Sequence, residues 1–126
     1  MNQLSEERKK LIVEYLTEHL KCETIILFGS ATRGALREDS DIDISYLSDQ
    51  QNSHYERFMI AQGLAMLLKM DVDLINFDLA SSVFKVQILS NYEILYDQNS
   101  VRKDYAFMRA LKEYALLNEE RAVILR

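Results

Sequence analysis

The stretch FGSATRGALREDSDIDI, residues 28–44, joins two apolar runs through two glycines, two serines and four carboxylates. It begins at the end of TIILF (24–28), a short β-branched run that reads as a buried strand stopping at Gly29. It ends in IDISYL (42–47), a second strand with a carboxylate inside it. Side chains at i and i+2 of a strand lie on one face, so Asp41 and Asp43 project together from the start of this strand. Two like charges that close repel each other, and burial would protonate one of them unless a cation sat between. Oxygen-only ligands of this kind favour Mg2+, which is typically held by one or two carboxylates together with substrate phosphates.

Farther along, VDLINF (72–77) repeats the pattern of a charge in an apolar run. Asp73 lies inside that third strand, and Asp71 just before it. Three carboxylates converging from two strands can hold two metal ions, which activate an attacking oxygen and stabilise a leaving phosphate oxygen. The upstream half of the stretch supplies phosphate contacts. A strand that ends in Gly29-Ser30 and turns into a helix offers backbone N–H groups to an anion. Gly29 permits close approach because it has no Cβ, and Ser30 adds a hydroxyl. Gly29 to Gly34 also matches the first half of a P-loop, but Ala35-Leu36 stands where Lys-Ser/Thr must follow. Each feature has a plainer reading alone: a solvated strand start, a turn, a wet sheet edge. Their combination on three strands is what points to metal-dependent phosphate chemistry.

The rest of the chain frames these strands with helices. Residues 4–20 place Leu4, Leu11, Ile12, Tyr15, Leu16 and Leu20 on one face, with Ser5 or Asn2 as the cap. Ser30 to Arg37 reads as a short helix or turn opened by Ser30 as N-cap. His54 to Lys69 is a long helix turning Phe58, Ala61, Leu64, Ala65 and Leu68 inward. Ser81 to Leu89 is a shorter helix, and YEILY (92–96) an edge strand. Val101 to about Ala122 is the last helix, with Val101, Tyr105, Met108, Leu111 and Ala115 on one stripe. The expected class is α/β (α+β): a small mixed sheet covered by helices, one domain over residues 1–126. The short link between the first two strands makes that pair antiparallel.

Composition narrows the function classes. The chain has 126 residues, 48% of them hydrophobic, enough for one core. Its net charge is −5 and its only basic cluster is ERKK (7–10), which disfavours a direct nucleic-acid partner. No run approaches the roughly 18 apolar residues of a membrane span. The start, MNQLSEERKK, is too polar for a secretory signal, and a single cysteine, Cys22, excludes an internal disulfide. The expected location is the cytoplasm. His19 and His54 lack a second ligand at zinc spacing.

Gly29-Ser30, ten residues, then Asp41-Ile42-Asp43 resembles the GSx10DxD signature of the nucleotidyltransferase superfamily, whose founding fold is that of DNA polymerase β. Arg33-Gly34 and Ser40 match the GSxxRG…SDxD form of its small members. With VDLI (72–75) the resemblance spans about Thr24 to Phe77. It is strongest to the minimal nucleotidyltransferase (MNT) antitoxins paired with HEPN toxins, the MntA/HepT type. It implies Mg2+-dependent transfer of AMP from ATP to a tyrosine hydroxyl of a cognate HEPN ribonuclease toxin, which is thereby silenced. Asp41, Asp43 and Asp73 would then bind two Mg2+ ions, with Asp73 also drawing the acceptor proton. Gly29 and Ser30 would hold the triphosphate. Ser40 joins them by its place in the motif, and Arg33 either steadies phosphates or is a surface residue. Asp71 shares a strand face with Asp73; Asp73 is preferred because the family's third carboxylate sits just before two apolar residues.

A transferase must position its acceptor as well as its nucleotide, and this chain has few residues left after one sheet and its helices. A toxin partner in a hetero-oligomer would complete the acceptor site. Tyr105, Phe107, Met108, Tyr114 and Leu117 on the last helix are either its docking surface or core. Two alternatives keep the fold: an antitoxin that neutralises by covering its toxin, and a transferase acting on a small molecule such as an antibiotic. Glycosyltransferases and dehalogenase-type phosphatases also use DxD. The former are larger and lack the upstream Gly-Ser, and the latter carry a Thr pattern where Ile44-Ser45 stands.

Overall fold

Ser5 accepts a hydrogen bond from the Arg8 N–H at 3.2 Å and opens the first helix, α1 (Glu6–Leu20). The alternative cap, Asn2, lies outside the residues that this computed structural model describes, 3–37 and 39–124. Lys21 ends α1 in the left-handed conformation, φ 53°. The chain then enters β1 (Thr24–Phe28), all five residues of which are buried. A 3-10 turn, Gly29–Arg33, follows it. Next come β2 (Ile42–Leu47), α2 (His54–Leu68) and β3 (Val72–Asn76). A short 3-10 turn at Phe77–Leu79 leads to α3 (Ser82–Ser90), β4 (Tyr92–Asp97) and α4 (Ser100–Ile124). Helix α2 starts on a full capping box, in which Ser53 and Glu56 satisfy each other's backbone N–H.

The strands form one sheet in the order β3-β2-β1-β4. β1 runs antiparallel to both β2 and β4, and β2 runs parallel to β3. This is the mixed sheet expected, with the expected antiparallel first pair and β4 at an edge. Strand alternation divides the core in two. Ile25, Leu27, Ile42, Ile44, Tyr46 and Leu74 face Ile12, Leu16 and Leu20 of α1 and Ala61, Leu64 and Leu68 of α2. Ile26, Phe28 and Leu47 point the other way, toward Phe77, Ile88 of α3 and Ala110 of α4. Each large aliphatic side chain buried this way contributes about 1.5–3 kcal/mol relative to exposure. Asp43 lies on this second face, between Ile42 and Ile44 of the first.

Three local expectations are corrected, and one left open is decided. Leu11 is exposed rather than part of the α1 core face. Phe58 of α2 is 58% exposed, because it borders an open cleft rather than the sheet. The turn after β1 is a 3-10 turn whose N-cap is Phe28, with no side-chain cap bond, so Ser30 does not cap it. The α4 stripe, whose Tyr105 and Met108 are open in the sequence to either a docking or a core reading, faces outward, with Val101, Tyr105, Met108 and Leu111 all exposed. The buried side of α4 carries Ala106, Phe107 and Ala110. The Phe107 ring stands 5.5 Å from those of both Phe77 and Tyr92. Small Ala110 lets the helix close on the sheet, and the aromatic cluster selects that side.

Candidate active site

Parallel pairing aligns Asp43 of β2 with Asp73 of β3. Residues paired across parallel strands point to the same side, so both carboxylates emerge on the second face of the sheet. Asp41 precedes Ile42 by one residue and shares the side of Asp43. Asp43 is half-buried, and its pKa is pushed up from 3.8 to about 6. Burial is the largest cause, followed by the negative charges of Asp73 and then Asp41. Asp71 does not act on Asp43 in this way; its backbone carbonyl accepts from the Ile42 N–H at 2.8 Å and so sets the register. The two candidates for the third carboxylate thus part company: Asp73 stands in the charge cluster, and Asp71 starts the ladder.

Gly29 is required twice over at the other edge of this cluster. Its φ of +77° lies in the left-handed region. A Cβ at this position would also run into Oδ2 of Asp43. The backbone therefore passes directly over the carboxylate. The first N–H groups of the following turn have no acceptors within it, a feature of any helix start. The turn is fastened from below. The Thr32 hydroxyl donates to the Gly29 carbonyl at 2.7 Å and reaches the Asn91 carbonyl, beside β4, at 3.4 Å. Ser30 is half-buried at the start of the turn, and Arg33 is exposed at its end. Ser40 sits farther along, where its hydroxyl accepts from the Arg37 N–H at 2.9 Å and braces the turn before β2.

Among the described residues, no lysine, arginine or histidine forms an ion pair with Asp41, Asp43 or Asp73. Nor do any three His, Cys, Asp or Glu side chains there gather closely enough to hold a metal by themselves. Carboxylates left to repel one another spread apart. The donor set fits a hard cation that takes one or two carboxylates and brings phosphate oxygens for its remaining positions. Beyond Asp73 the site opens into a cleft of about 650 Å³ between α2 and the outer edge of β3, lined in part by His54, Arg57, Phe58, Asp73 and Leu79.

The sequence model of the family described as "Polymerase beta, Nucleotidyltransferase" matches residues 10–101. The chain belongs to the polymerase β nucleotidyltransferase family. It is also 32% identical, over 99% of its own length and 88% of the relative's, to the protein adenylyltransferase MntA of Shewanella oneidensis. Two solved structures share its fold over nearly the whole chain. One is a chain of a toxin–antitoxin crystallised with AMP-PNP, 30% identical with a TM-score of 0.85, matched over 93% of this chain and 94% of that one. The other is from a tri-AMPylated HEPN toxin of Shewanella oneidensis in complex with its MNT antitoxin, 27% identical with a TM-score of 0.81, matched over 97% and 96%.

Within this nucleotidyltransferase the residues expected from the sequence fall into two groups. Asp41, Asp43, Asp73, Gly29 and Ser30 meet at one end of the sheet. Arg33 and Ser40 lie on the connecting loop, the latter already committed to a turn. Nothing in the sequence marks Thr32, whose place two residues after Ser30 gives no sign that it ties the turn to Asn91 before β4. Arg57 and Phe58 line the cleft, and helical spacing alone carries no sign of it.

Proposed function

We propose that this chain is an antitoxin that transfers AMP from ATP to a tyrosine hydroxyl of a cognate HEPN toxin, with Mg2+ as cofactor. The observation that carries the reading is the alignment of Asp43 with Asp73, with Asp41 close enough to raise the Asp43 pKa further. Such mutual repulsion works against the fold, and a cation-dependent reaction gives it a purpose. The likeness to an adenylyltransferase, and to chains from complexes with AMP-PNP and with an AMPylated toxin, supports the same substrate and partner class.

The roles follow from position. Gly29 and Ser30 receive the triphosphate, the glycine by close approach and the serine as a hydroxyl donor. Asp41 and Asp43 hold the cation side of that group, and Asp73 takes the proton from the acceptor hydroxyl. The hydroxyl oxygen bonds to the α-phosphorus, the bond from that phosphorus to the β-phosphate bridge oxygen breaks, and pyrophosphate leaves. Mg2+, when bound, offsets the charge on the phosphate oxygens. In this reading Arg33, exposed at the end of the turn, meets the outer phosphates, and Ser40 holds the loop that carries Asp41. Residues 1–126 act as one catalytic domain. Cys22, the one cysteine of the sequence, is buried and unpaired, which suits a reducing cytoplasm.

The test uses ATP labelled at the α- or the γ-phosphate, with Mg2+ and the HEPN protein encoded beside this chain. Label from the α position alone should appear on a tyrosine of the toxin. Label from the γ position, or none from either, would overturn the reading. If Asp43→Ala neutralises the toxin as well as wild type, covering alone suffices.

A further inference from the structure

The transfer reading leaves the path of the acceptor open, and the sheet order restricts it. The Gly29-Ser30 turn closes β1, Asp43 lies on β2 and Asp73 on β3. In the order β3-β2-β1-β4 these form a row that runs from the phosphate cradle to the outer edge of β3. An acceptor that gives its proton to Asp73 while the triphosphate lies over β1 and β2 has its shortest approach from that outer edge.

The edge is built for an extended chain. All five β3 residues line the open cleft, with α2 along one side and the turn at Leu79 along the other. Parallel pairing uses only alternate residues of a strand on each side. The Asp71 carbonyl accepts from Ile42 of β2, and the Ile75 carbonyl accepts from the Ser45 hydroxyl of β2 at 3.0 Å. The residues of this set, 71, 73 and 75, turn their backbone groups inward. Val72, Leu74 and Asn76 turn theirs into the cleft. A free edge of this kind is a template for another strand. Exposed apolar side chains flank it on both sides, Phe58 at 58% and Leu79 at 71% exposure. At its inner end the Tyr46 hydroxyl is buried with no hydrogen-bond partner, next to Arg57 and Asn76, and the Oδ1 of Asn52, also a lining residue, is buried and unpartnered as well.

We infer that the toxin presents its acceptor tyrosine on an extended segment that adds to the sheet as a strand along β3, seated between Phe58 and Leu79. This rests on the transfer reading and specifies its acceptor site. Strand addition supplies backbone bonds through Val72, Leu74 and Asn76, while side chains set specificity. It also solves the aiming problem. The segment residue level with Asp73 points to the same face as Asp73, one strand spacing away, about 4.8 Å. A tyrosine there carries its hydroxyl over the carboxylate row, and a small antitoxin needs no second domain to orient it.

Amide exchange of the 15N-labelled full chain, followed by NMR with the unlabelled cognate HEPN toxin, AMP-PNP and Mg2+, gives the decisive readout. Strand addition should slow exchange at residues 72, 74 and 76 by at least about tenfold and leave the already bonded 73 and 75 little changed. In steady-state transfer, Phe58→Asp and Leu79→Asp should each raise KM for the toxin about tenfold with KM for ATP unchanged. Both positions are exposed, so the variants fold, and unchanged AMP-PNP affinity verifies it. Unaltered exchange along β3, or uniform protection of α2 without the alternating pattern, overturns the inference, as does an unchanged toxin KM in both variants. If wild type transfers no AMP but the alternating protection appears, the docking mode stands and the transfer reading falls.

Discussion

Replacing Asp43 by asparagine should stabilise the metal-free protein while abolishing nucleotide transfer. In the fold the Asp43 pKa rises from 3.8 to about 6, through burial and the charges of Asp73 and Asp41. The folded chain therefore holds this proton more tightly than the unfolded chain between those values. Its contribution to stability is fully present below about pH 3.8 and is lost as pH rises through about 6. At about 1.4 kcal/mol per pH unit, that rise sets a ceiling of about 3 kcal/mol on the neutral-pH penalty. Asp43 is only half-buried, and solvent screening reduces the figure to about 1–1.5 kcal/mol. For a chain of this size that is about 4–6 °C in melting temperature. Calorimetry in EDTA at pH 4 and pH 8 reads the effect as the difference between Asp43→Asn and wild type. The variant should melt about 4–6 °C higher at pH 8, and the gap should close near pH 4. With saturating Mg2+ and AMP-PNP the order should invert, because only wild type gains ligand linkage. A gap of equal size at both pH values, or a variant less stable at pH 8, would refute the argument from charge repulsion.

Gly29→Ala should cost about 1–2 kcal/mol for a left-handed alanine, read from the urea midpoint, and should lose ATP binding because its Cβ displaces the Asp43 carboxylate. Asp73→Asn should lower kcat by about 10²–10⁴, the usual worth of a general base, whereas Asp71→Asn should stay within a few-fold, and single-turnover kinetics separates them. Arg102→Met should destabilise by about 1–2 kcal/mol at pH 7. That arginine reaches Asp49 at 3.1 Å, Asp78 at 3.2 Å and Glu23 at 3.5 Å, and its loss leaves three acids together. Urea unfolding should show this deficit shrinking as pH falls and Glu23, its pKa raised by burial and by Asp49, takes up its proton.

The strands and the carboxylate pattern could be read from the chain because their signals are local. TIILF and IDISYL are short β-branched runs, and a charge in such a run stands out against every neighbour. The Gly-Ser spacing to Asp41 and Asp43 needs no tertiary knowledge. Helix faces were less legible. Helix α4 has apolar residues on two sides, and spacing alone cannot say which one meets the sheet. The answer lies in Phe77, Phe107 and Tyr92, which meet from three different elements. Phe58 failed for a related reason: α2 overhangs the last strand, so a residue at core spacing faces a cleft instead. The choice of Asp73 over Asp71 came from the motif, in which the third carboxylate sits just before two apolar residues, and the register adds a geometric difference to it. Both share one strand face, and the register sets Asp73, not Asp71, opposite Asp43.

Why these few residues suffice is a matter of strand direction. β1 runs antiparallel to β2, so its last residues lie beside the first residues of β2, and Phe28 pairs with Asp43. β2 and β3 are parallel, so their starts coincide. One antiparallel and one parallel pairing thus bring the end of β1 and the beginnings of β2 and β3 to the same end of the sheet. Leu47, at the far end of β2 on the same face, is in the core with Ile88 of α3 and Ala110 of α4. Phe28, which pairs with Asp43, reaches the same core with its ring against Phe84 of α3, so the helices pack on the β1 side of this face at both ends. A reversed β3 would carry Asp73 from the level of Asp43 to that of Ser45 and place the chain leading into it, with Asp71, at the opposite end of the sheet. The parallel β2-β3 pair is consequently the feature the active site depends on most. The length of α2, which returns the chain along the sheet from the end of β2 to the start of β3, is what makes that pair possible.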